Sequence, residues 1–293
     1  MDPYSKEKDR VAAAFDRAAR DYDALAEFQG TVADRLLERL DFMRLAPGTI
    51  LDLGAGTGRA SRALAKRYPA ARVIESDLAF GMLRGARGLG RWFRRRRTVC
   101  ADAELLPFAD ASFDLVFSSL MLQWCNDPAI VFAELRRVLR PEGLLIFSTL
   151  GPDTLRELRE SWAIADADVH VNAFIDMHDL GDALVRAALS EPVMETERFT
   201  LSYADGHALM RDLKSLGARN ANAGRRRSLT GKGRLQSMLR AYESHRRDGR
   251  LPATYEVVYG HAWRPEADPR REPGIATVPV SAITRRRGNG NAP

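Results

Sequence analysis

The spacing of apolar residues predicts a sheet covered by helices. Between residues 11 and 40, apolar side chains recur every three or four positions, which is typical of amphipathic helix. Pro47 and Gly48 end this region. Short apolar runs then alternate with stretches of helical periodicity as far as residue 149. This alternation predicts βαβ units, and therefore a parallel sheet with helices on both faces.

The alternating region gives five predicted strands, and two more follow it. They are TILDL (49–53), RVIESD (72–77), TVCAD (98–102), FDLVFSS (113–119), LLIFST (144–149), VMETERFTLSY (193–203) and ATYEVVYGHAW (253–263). Helices are predicted from about Arg59 and Phe80, at 128–140, 152–162 and 177–189, and near 206–216 and 232–246.

Three segments follow from these elements. Residues 1–45 form an N-terminal helical segment, and residues 46–265 form the main domain. The last two strands are separated by an insertion at 204–250, which carries its own helical periodicity. From 266 to 293 the composition shifts to Pro, Arg, Gly and Asn, which predicts a flexible tail.

Composition narrows the class of protein. The 293 residues are 45% hydrophobic and 29% charged, as expected for a globular chain with a full core. No run approaches the roughly 18 apolar residues that a membrane span requires, so we expect no membrane partner. The two cysteines, Cys100 and Cys125, provide neither a disulfide framework nor zinc spacing. We therefore expect a cytoplasmic protein without a metal, with the histidines, including His170 and His178, left unligated.

The net charge of +6 favours an acidic partner without choosing between nucleic acid, an acidic protein and an anionic metabolite. Much of the excess lies in arginine clusters at 94–97, 225–227 and 285–287. The first cluster precedes a strand, and we expect it to be solvated. The second lies in the insertion; if strand 193–203 runs parallel to the others, this cluster flanks the ligand-binding edge of the sheet.

A glycine-rich turn follows the first strand, in LDLGAGTG (51–58). Glycines let backbone N–H groups approach a ligand, and the following helix adds partial positive charge. The spacing of Gly54, Gly56 and Gly58 differs from the dinucleotide pattern G-x-G-x-x-G. Asp52 would repel a pyrophosphate but suits a ligand with an ammonium group. A tight strand-to-helix turn without a ligand is the alternative interpretation.

Two further acids stand at successive predicted strand ends. Asp77 comes about twenty residues after the glycine turn, where a carboxylate can accept both ribose hydroxyls of a nucleoside. Asp102 ends the third predicted strand, where it can meet an adenine amino group. Carboxylates at these positions also cap helices. Three acids at three strand ends nevertheless favour a nucleoside ligand.

The motifs LDLGAGTG, ESDLAFGML, ADAELLPFADASFDLVFSS and LRRVLRPEGLLIFST resemble those of class I S-adenosylmethionine-dependent methyltransferases. The resemblance implies an α/β, Rossmann-like fold: a doubly wound, mostly parallel seven-stranded sheet with an N-terminal helical lid and a helical insertion between the last two strands. It implies S-adenosylmethionine as methyl donor and no metal. The implied cofactor-binding residues are Gln29, Asp52, Gly54, Ala55, Gly56, Gly58, Asp77, Leu78, Asp102, Ala103 and Ser118.

Motifs across residues 15–263, among them LMLQWCNDP, FSTLGPDTLRELRESW and HVNAFIDMHDLGDAL, resemble the malonyl-acyl-carrier-protein O-methyltransferases of biotin synthesis. That resemblance implies methylation of the free carboxylate of a malonyl thioester on an acidic carrier protein. A carboxylate is already ionised at neutral pH, so the reaction needs alignment rather than a base. Candidate catalytic residues are Tyr22, Gln123, Trp124 and Arg225, the last as a guanidinium that holds the carboxylate. Packing is the alternative role for Tyr22 and Trp124, and a solvated loop for Arg225.

Other functions stay open at this point. The acceptor could be another small carboxylate or a quinone ring, although a carbon acceptor needs a base that we cannot name. The second half also resembles a mitochondrial respiratory complex I assembly factor, which does not methylate. Basicity alone suggests a nucleic-acid methyltransferase, for which binding would fall steeply with salt. We expect no nucleic-acid partner.

Overall fold

The computed structural model describes residues 6–87, 97–218, 220–222 and 231–266. The arginines at 94–96, 225–227 and 285–287, and the tail from 267, lie outside the described residues, so the predictions made for them are not tested by the fold. Within the described ranges, no helix has both the length and the apolar composition needed to cross a lipid bilayer.

One seven-stranded sheet forms the centre of the described chain. Its strands are β1 (Thr49–Leu53), β2 (Arg72–Asp77), β3 (Arg97–Cys100), β4 (Phe113–Ser119), β5 (Leu139–Leu150), β6 (Ser190–Tyr203) and β7 (Leu251–Trp263). The order is β3-β2-β1-β4-β5-β7-β6. Strands β1 to β5 pair in parallel, whereas β7 is antiparallel to both β5 and β6. The predicted mostly parallel, doubly wound α/β sheet is confirmed.

Ten α-helices surround this sheet in the part of the chain that is described. They are α1 (Lys8–Ala18), α2 (Tyr22–Leu25), α3 (Glu27–Arg39), α4 (Arg59–Arg67), α5 (Phe80–Arg87), α6 (Pro128–Val138), α7 (Arg156–Ala165), α8 (Met177–Arg186), α9 (Gly206–Ser215) and α10 (Lys232–Glu243). The predicted N-terminal helical region is therefore divided into three helices. Helix α6 begins where the Asp127 side chain accepts a hydrogen bond from the Ala129 N–H and Pro128 takes the first turn.

Alternate residues of the central strands enter two separate cores. Leu51 and Leu53 of β1 pack in one core with α6 and α8, whereas Ile50 packs in the other with α3 and α4. This alternation follows from the two-residue period of a strand. A third core joins α7, α9 and α10 to the part of β7 nearest Leu251. The helices of the insertion are therefore packed against the sheet.

The direction of β6 decides where the insertion emerges. Because β6 is antiparallel to β7, and β7 is antiparallel to β5, β6 runs the same way as β1. Tyr203 therefore ends β6 at the edge of the sheet where Leu53 ends β1, and α9 begins there. Strands β5, β6 and β7 begin earlier than predicted, and β5 also ends one residue later. Strand β3 differs at the site itself: it ends at Cys100, so Asp102 lies in the turn after the strand.

Candidate functional site

The glycine turn has a backbone that few other residues could adopt. Gly54 and Gly56 have φ of +76° and +55°, in the left-handed region. A Cβ on Gly54 would lie 2.5 Å from the Cβ of Met121, so packing requires glycine there. A Cβ on Gly56 would meet no protein atom within 4 Å. Gly56 therefore faces open space, which a ligand can occupy.

A cavity of about 300 Å³ opens over this turn at the carboxyl edge of the parallel strands. Its walls come from the glycine turn, the ends of β2 and β4, and helices α1 to α3. Twelve residues predicted for the site line it: Tyr22, Gln29, Asp52, Gly54, Ala55, Gly56, Asp77, Leu78, Asp102, Ala103, Gln123 and Trp124. The structure thus brings together the acids predicted at three strand ends.

Two residues predicted to contact the cofactor lie outside this lining. Gly58 precedes α4 with φ of +81°, and its N–H donates to the Ala55 carbonyl at 2.8 Å. Ser118 is fully buried, and its hydroxyl donates to the Leu53 carbonyl at 3.0 Å. Strand alternation turns the next residue, Ser119, towards the cavity instead. Gly58 and Ser118 therefore stabilise the turn and the sheet, and their contact with a cofactor stays a prediction.

Asp77 organises the glycine turn from the end of β2. One carboxylate oxygen accepts from the Gly56 N–H at 2.9 Å, and the other from the Ala79 N–H at 2.8 Å. Burial raises the pKa of Asp77, and these backbone hydrogen bonds act against that rise. Because each oxygen has two lone pairs, the carboxylate can still accept hydrogen bonds from a ligand in the cavity.

Asp52 is the most deeply buried acid of the cavity. Its carboxylate accepts a hydrogen bond from the Ser61 hydroxyl at 2.5 Å. Burial raises the pKa of Asp52 to about 7; the Ser61 bond lowers it, and the charges of Glu75 and Asp77 raise it. A carboxylate destabilised in this way is relieved by a nearby cation. Asp52 therefore suits the positively charged end of a ligand.

Asp102 is held by a residue that the sequence did not reveal. One of its oxygens accepts from the Glu104 N–H at 3.0 Å, and the other lies 2.5 Å from the Lys8 ammonium. Lys8 also lies 2.6 Å from Glu104. Helix α1 is thereby tied to the turn after β3. No local pattern links Lys8 with Asp102, which are 94 residues apart.

The N-terminal helices supply polar groups to the cavity. The Gln29 Oε1 atom is buried and has no hydrogen-bond partner among the described residues. A buried acceptor of this kind is costly unless a ligand or water pairs with it. Burial raises the pKa of Tyr22, so its hydroxyl stays protonated. Thr57 in the glycine turn donates to Asp23 in α2.

Gln123 and Trp124 lie after β4, at the inner side of the cavity. The Gln123 amide donates to the Leu120 carbonyl at 2.7 Å and accepts from the Thr149 hydroxyl at 3.1 Å. The Trp124 ring meets Phe15 of α1 edge to face, with centroids 5.2 Å apart. Both side chains are thus held in place by contacts within the protein.

A second cavity, of about 630 Å³, adjoins the first. The sequence did not predict it, because residues 169–174 lie in an irregular segment and contribute to its wall together with α7 and α9. Five residues line both cavities: Trp124, Leu150, Leu213, Ala218 and Tyr255. The two spaces therefore meet at a mainly apolar junction.

The two cavities differ in charge. The first is lined by four aspartates, Asp23, Asp52, Asp77 and Asp102, as well as by basic residues. Among the described residues, no carboxylate lines the second cavity; its ionisable side chains other than tyrosine are His170, His207, Arg211 and Lys214. The arrangement fits a cationic ligand in the first cavity and an anionic one in the second.

One group of possible metal ligands lies beside the second cavity. Single ligand atoms of Asp166, Asp168 and His170 lie within 4.8 Å of one another. The Arg234 guanidinium is 3.5 Å from Asp166 and 3.4 Å from Asp168, so a cation already accompanies both carboxylates. The His170 ring stacks on Trp162 with centroids 3.6 Å apart. That the protein uses no metal stays a prediction.

Comparison with known proteins identifies the family. Residues 51–147 match the model of a methyltransferase domain. A malonyl-[acyl-carrier protein] O-methyltransferase of Methylovorus sp. is 54% identical, over 94% of this chain and 96% of the relative. Its counterpart in Laribacter hongkongensis is 56% identical, over 91% and 92% of the two chains. The chain belongs to the malonyl-[acyl-carrier protein] O-methyltransferase family. The resemblance seen in the sequence is confirmed.

The fold of this family member is also that of more distant proteins. The YcgJ protein from Bacillus subtilis superimposes with a TM-score of 0.58 at 16% identity, covering 80% of this chain and 99% of its own. At that identity the likeness concerns the fold alone. Proteins with little sequence similarity to this chain can therefore share its architecture.

Proposed function

We propose that this protein transfers a methyl group from S-adenosylmethionine to the free carboxylate of a malonyl thioester carried by an acyl-carrier protein. The product is the methyl ester that starts pimeloyl and biotin synthesis. The observation that supports this function best is the pair of joined cavities with different charge. The names of the relatives specify the thioester, and the cavities provide separate places for a cationic donor and an anionic acceptor.

The first cavity suits S-adenosylmethionine, a methyl-donating substrate that supplies an electrophilic methyl group on a sulfonium. Asp52 would face its ammonium group, and Asp77 its ribose hydroxyls. Asp102 and the unpaired Gln29 Oε1 are acceptors for an amino group or a hydroxyl. Gly56 leaves room where any side chain would intrude.

The junction of the cavities suits methyl transfer without a base. A malonyl carboxylate is ionised at neutral pH, so its oxygen can attack the methyl carbon directly while the carbon–sulfur bond breaks. The protein's task is then alignment. Trp124 and Tyr255 line both cavities and would flank the reacting atoms. Tyr22 and Gln123 would line the donor side, and Arg225 would hold the carboxylate.

The same proposal gives roles to the N-terminal segment and to the insertion, and it names the partner protein. Residues 1–45 act as a lid, since α1 to α3 form one wall of the donor cavity. The insertion at 204–250 receives the acceptor, because α9 lines the second cavity. The partner is an acidic carrier protein in the cytoplasm, steered by basic residues on this edge.

The test supplies labelled S-adenosylmethionine with malonyl-carrier protein, malonyl-CoA and the matching acetyl thioesters. We expect label in the malonyl substrates alone, and recovery of that label as volatile methanol after mild alkali, because a methyl ester releases methanol on hydrolysis whereas a carbon-bound or nitrogen-bound methyl group does not. Label in the acetyl thioesters, or label that is not recovered as methanol, would contradict carboxylate methylation. Binding of S-adenosylhomocysteine without turnover of any substrate would favour an assembly role instead.

A further inference from the structure

One face of α9 carries basic side chains at the outer end of the second cavity. His207, Arg211 and Lys214 are spaced four and three residues apart, so they lie on the same side of the helix. All three line the cavity, and all three are exposed to solvent. The Arg211 and Lys214 side chains form no hydrogen bond or ion pair with any residue that the structure describes.

The inner part of the cavity has a different character. Leu158, Val171, Phe174 and Met210 give it apolar walls as far as the junction at Trp124 and Tyr255. Two of its neutral polar groups make hydrogen bonds within the protein. The Thr154 hydroxyl donates to the Glu256 carbonyl at 3.1 Å, and the Asn172 side-chain oxygen accepts from the Ala221 N–H at 3.3 Å. This part of the cavity fits an uncharged, flexible chain.

The ligand that fits both ends therefore carries an anion at the outer end, a neutral chain, and the reacting group at the junction. A phosphopantetheine thioester has this order of groups, with its phosphate at the carrier end and its acyl group at the other. We propose that Arg211 and Lys214 bind the phosphate of the phosphopantetheine arm, whose chain occupies the second cavity. This inference rests on the proposed function, because it requires a thioester acceptor.

The chemistry of the two side chains supports this assignment. A guanidinium can donate two parallel hydrogen bonds to phosphate oxygens, and a nearby ammonium adds a point charge. No carboxylate among the described lining residues competes for them. Because both groups are exposed, salt will weaken their attraction for the phosphate.

The experiment compares malonyl-pantetheine with malonyl-4′-phosphopantetheine, which differ by the phosphate alone. For the unaltered protein, we expect kcat/KM to be roughly tenfold higher with the phosphate, as for hydrogen bonds between charged groups. In an Arg211→Ala, Lys214→Ala double variant, this ratio should fall close to one. An Arg240→Ala variant is the matched control, since Arg240 is an exposed cation of α10 that lines neither cavity.

Two further measurements separate this inference from the proposed function. Calorimetry with S-adenosylhomocysteine should give the same Kd for the double variant and the unaltered protein, which also establishes that the variant is folded. Equal kcat/KM for the two substrates in the unaltered protein, or an unchanged ratio in the double variant, would overturn the phosphate site. Failure of the unaltered protein to methylate malonyl-carrier protein would overturn the proposed function itself.

Discussion

The Lys8 ammonium lies 2.5 Å from a carboxylate oxygen of Asp102, and so joins the first N-terminal helix to the turn after β3. Burial lowers the pKa of Lys8, but its hydrogen bonds to Asp102 and Glu104 raise the pKa above its ordinary value. Both residues line the donor cavity, where Asp102 is the acceptor proposed for adenine. Helix α1 is thus connected through one cation to the turn that we propose as part of the nucleoside site.

Replacing Lys8 should weaken donor binding moderately. In Lys8→Met, helix α1 loses its ionic contact with the cavity wall, so ordering this helix around a ligand costs more free energy. A partly exposed pair contributes up to about 1 kcal/mol, which corresponds to a Kd for S-adenosylhomocysteine about two to five times higher. Calorimetry measures this change. Lys66→Met, at an exposed position of α4, is the control and should bind normally. Unchanged or tighter binding by Lys8→Met would contradict this role.

Asp52 should make the stability of the ligand-free protein depend on pH. Burial raises its pKa from the ordinary value of 3.8 to about 7. Between pH 3.8 and about pH 7, the Asp52 carboxyl loses its proton more readily in the unfolded chain than in the folded protein. The contribution of Asp52 to folding stability therefore falls as the pH rises through this range. Asp52→Asn cannot ionise. The melting temperature of Asp52→Asn should therefore increase relative to that of the unaltered protein between pH 5 and pH 8.

Thermal melts at several pH values test this sign. The control is Asp182→Asn, which removes an exposed carboxylate from the middle of α8. Its melting temperature relative to that of the unaltered protein should vary little with pH. A relative melting temperature of Asp52→Asn that falls as the pH rises would contradict the raised pKa. With S-adenosylhomocysteine present at pH 8, the unaltered protein should gain more stability than Asp52→Asn, because the ligand's ammonium group pairs with the ionised carboxylate.

Two glycines allow backbone strain to be separated from loss of space for a ligand. Gly56 and Gly249 have φ of +55° and +75°, and an added Cβ on either would meet no protein atom within 4 Å. Of these two glycines, Gly56 lines the donor cavity and Gly249 does not. Alanine at either position should lower the free energy of unfolding by about 1 to 2 kcal/mol, because both need the left-handed conformation.

Binding should then distinguish the two variants. Gly56→Ala places a methyl group at the cavity wall and should raise the Kd for S-adenosylhomocysteine by at least about tenfold, whereas Gly249→Ala should keep the normal Kd. Denaturant unfolding and calorimetry on both proteins provide the comparison. Equal affinities would show that Gly56 serves the turn alone and does not approach the ligand.

The sequence predicted the donor side of the site better than the acceptor side. The bounds of β1, β2 and β4 agree with their apolar runs, and the acids at or after the strand ends do line one cavity. Local patterns could not show that Lys8 meets Asp102, or that Ser118 turns away while Ser119 faces the cavity. The second cavity depends on how α7, α9 and an irregular segment pack together, and such packing has no periodic pattern.

Asp77 and Arg225 should affect different substrates. Asp77→Asn keeps one side-chain oxygen, which can accept from the Gly56 N–H or from the Ala79 N–H, but loses the charge and the other acceptor. We expect its Kd for S-adenosylhomocysteine to rise roughly tenfold, as for a lost hydrogen bond to a charged group. Arg225 lies outside the described residues, and its role stays a prediction from the sequence. Arg225→Ala should raise the KM for malonyl-carrier protein by a similar factor.

Steady-state kinetics with both substrates, together with calorimetry, measure this division. Thermal melts accompany each variant, because a truncated side chain can also destabilise the fold. Asp77→Asn should leave the KM for the carrier protein nearly unchanged, and Arg225→Ala should leave the Kd for S-adenosylhomocysteine unchanged. The same loss of S-adenosylhomocysteine affinity in both variants would show that the two residues do not serve separate substrates. That result would place Arg225 at the donor site rather than beside the acceptor carboxylate.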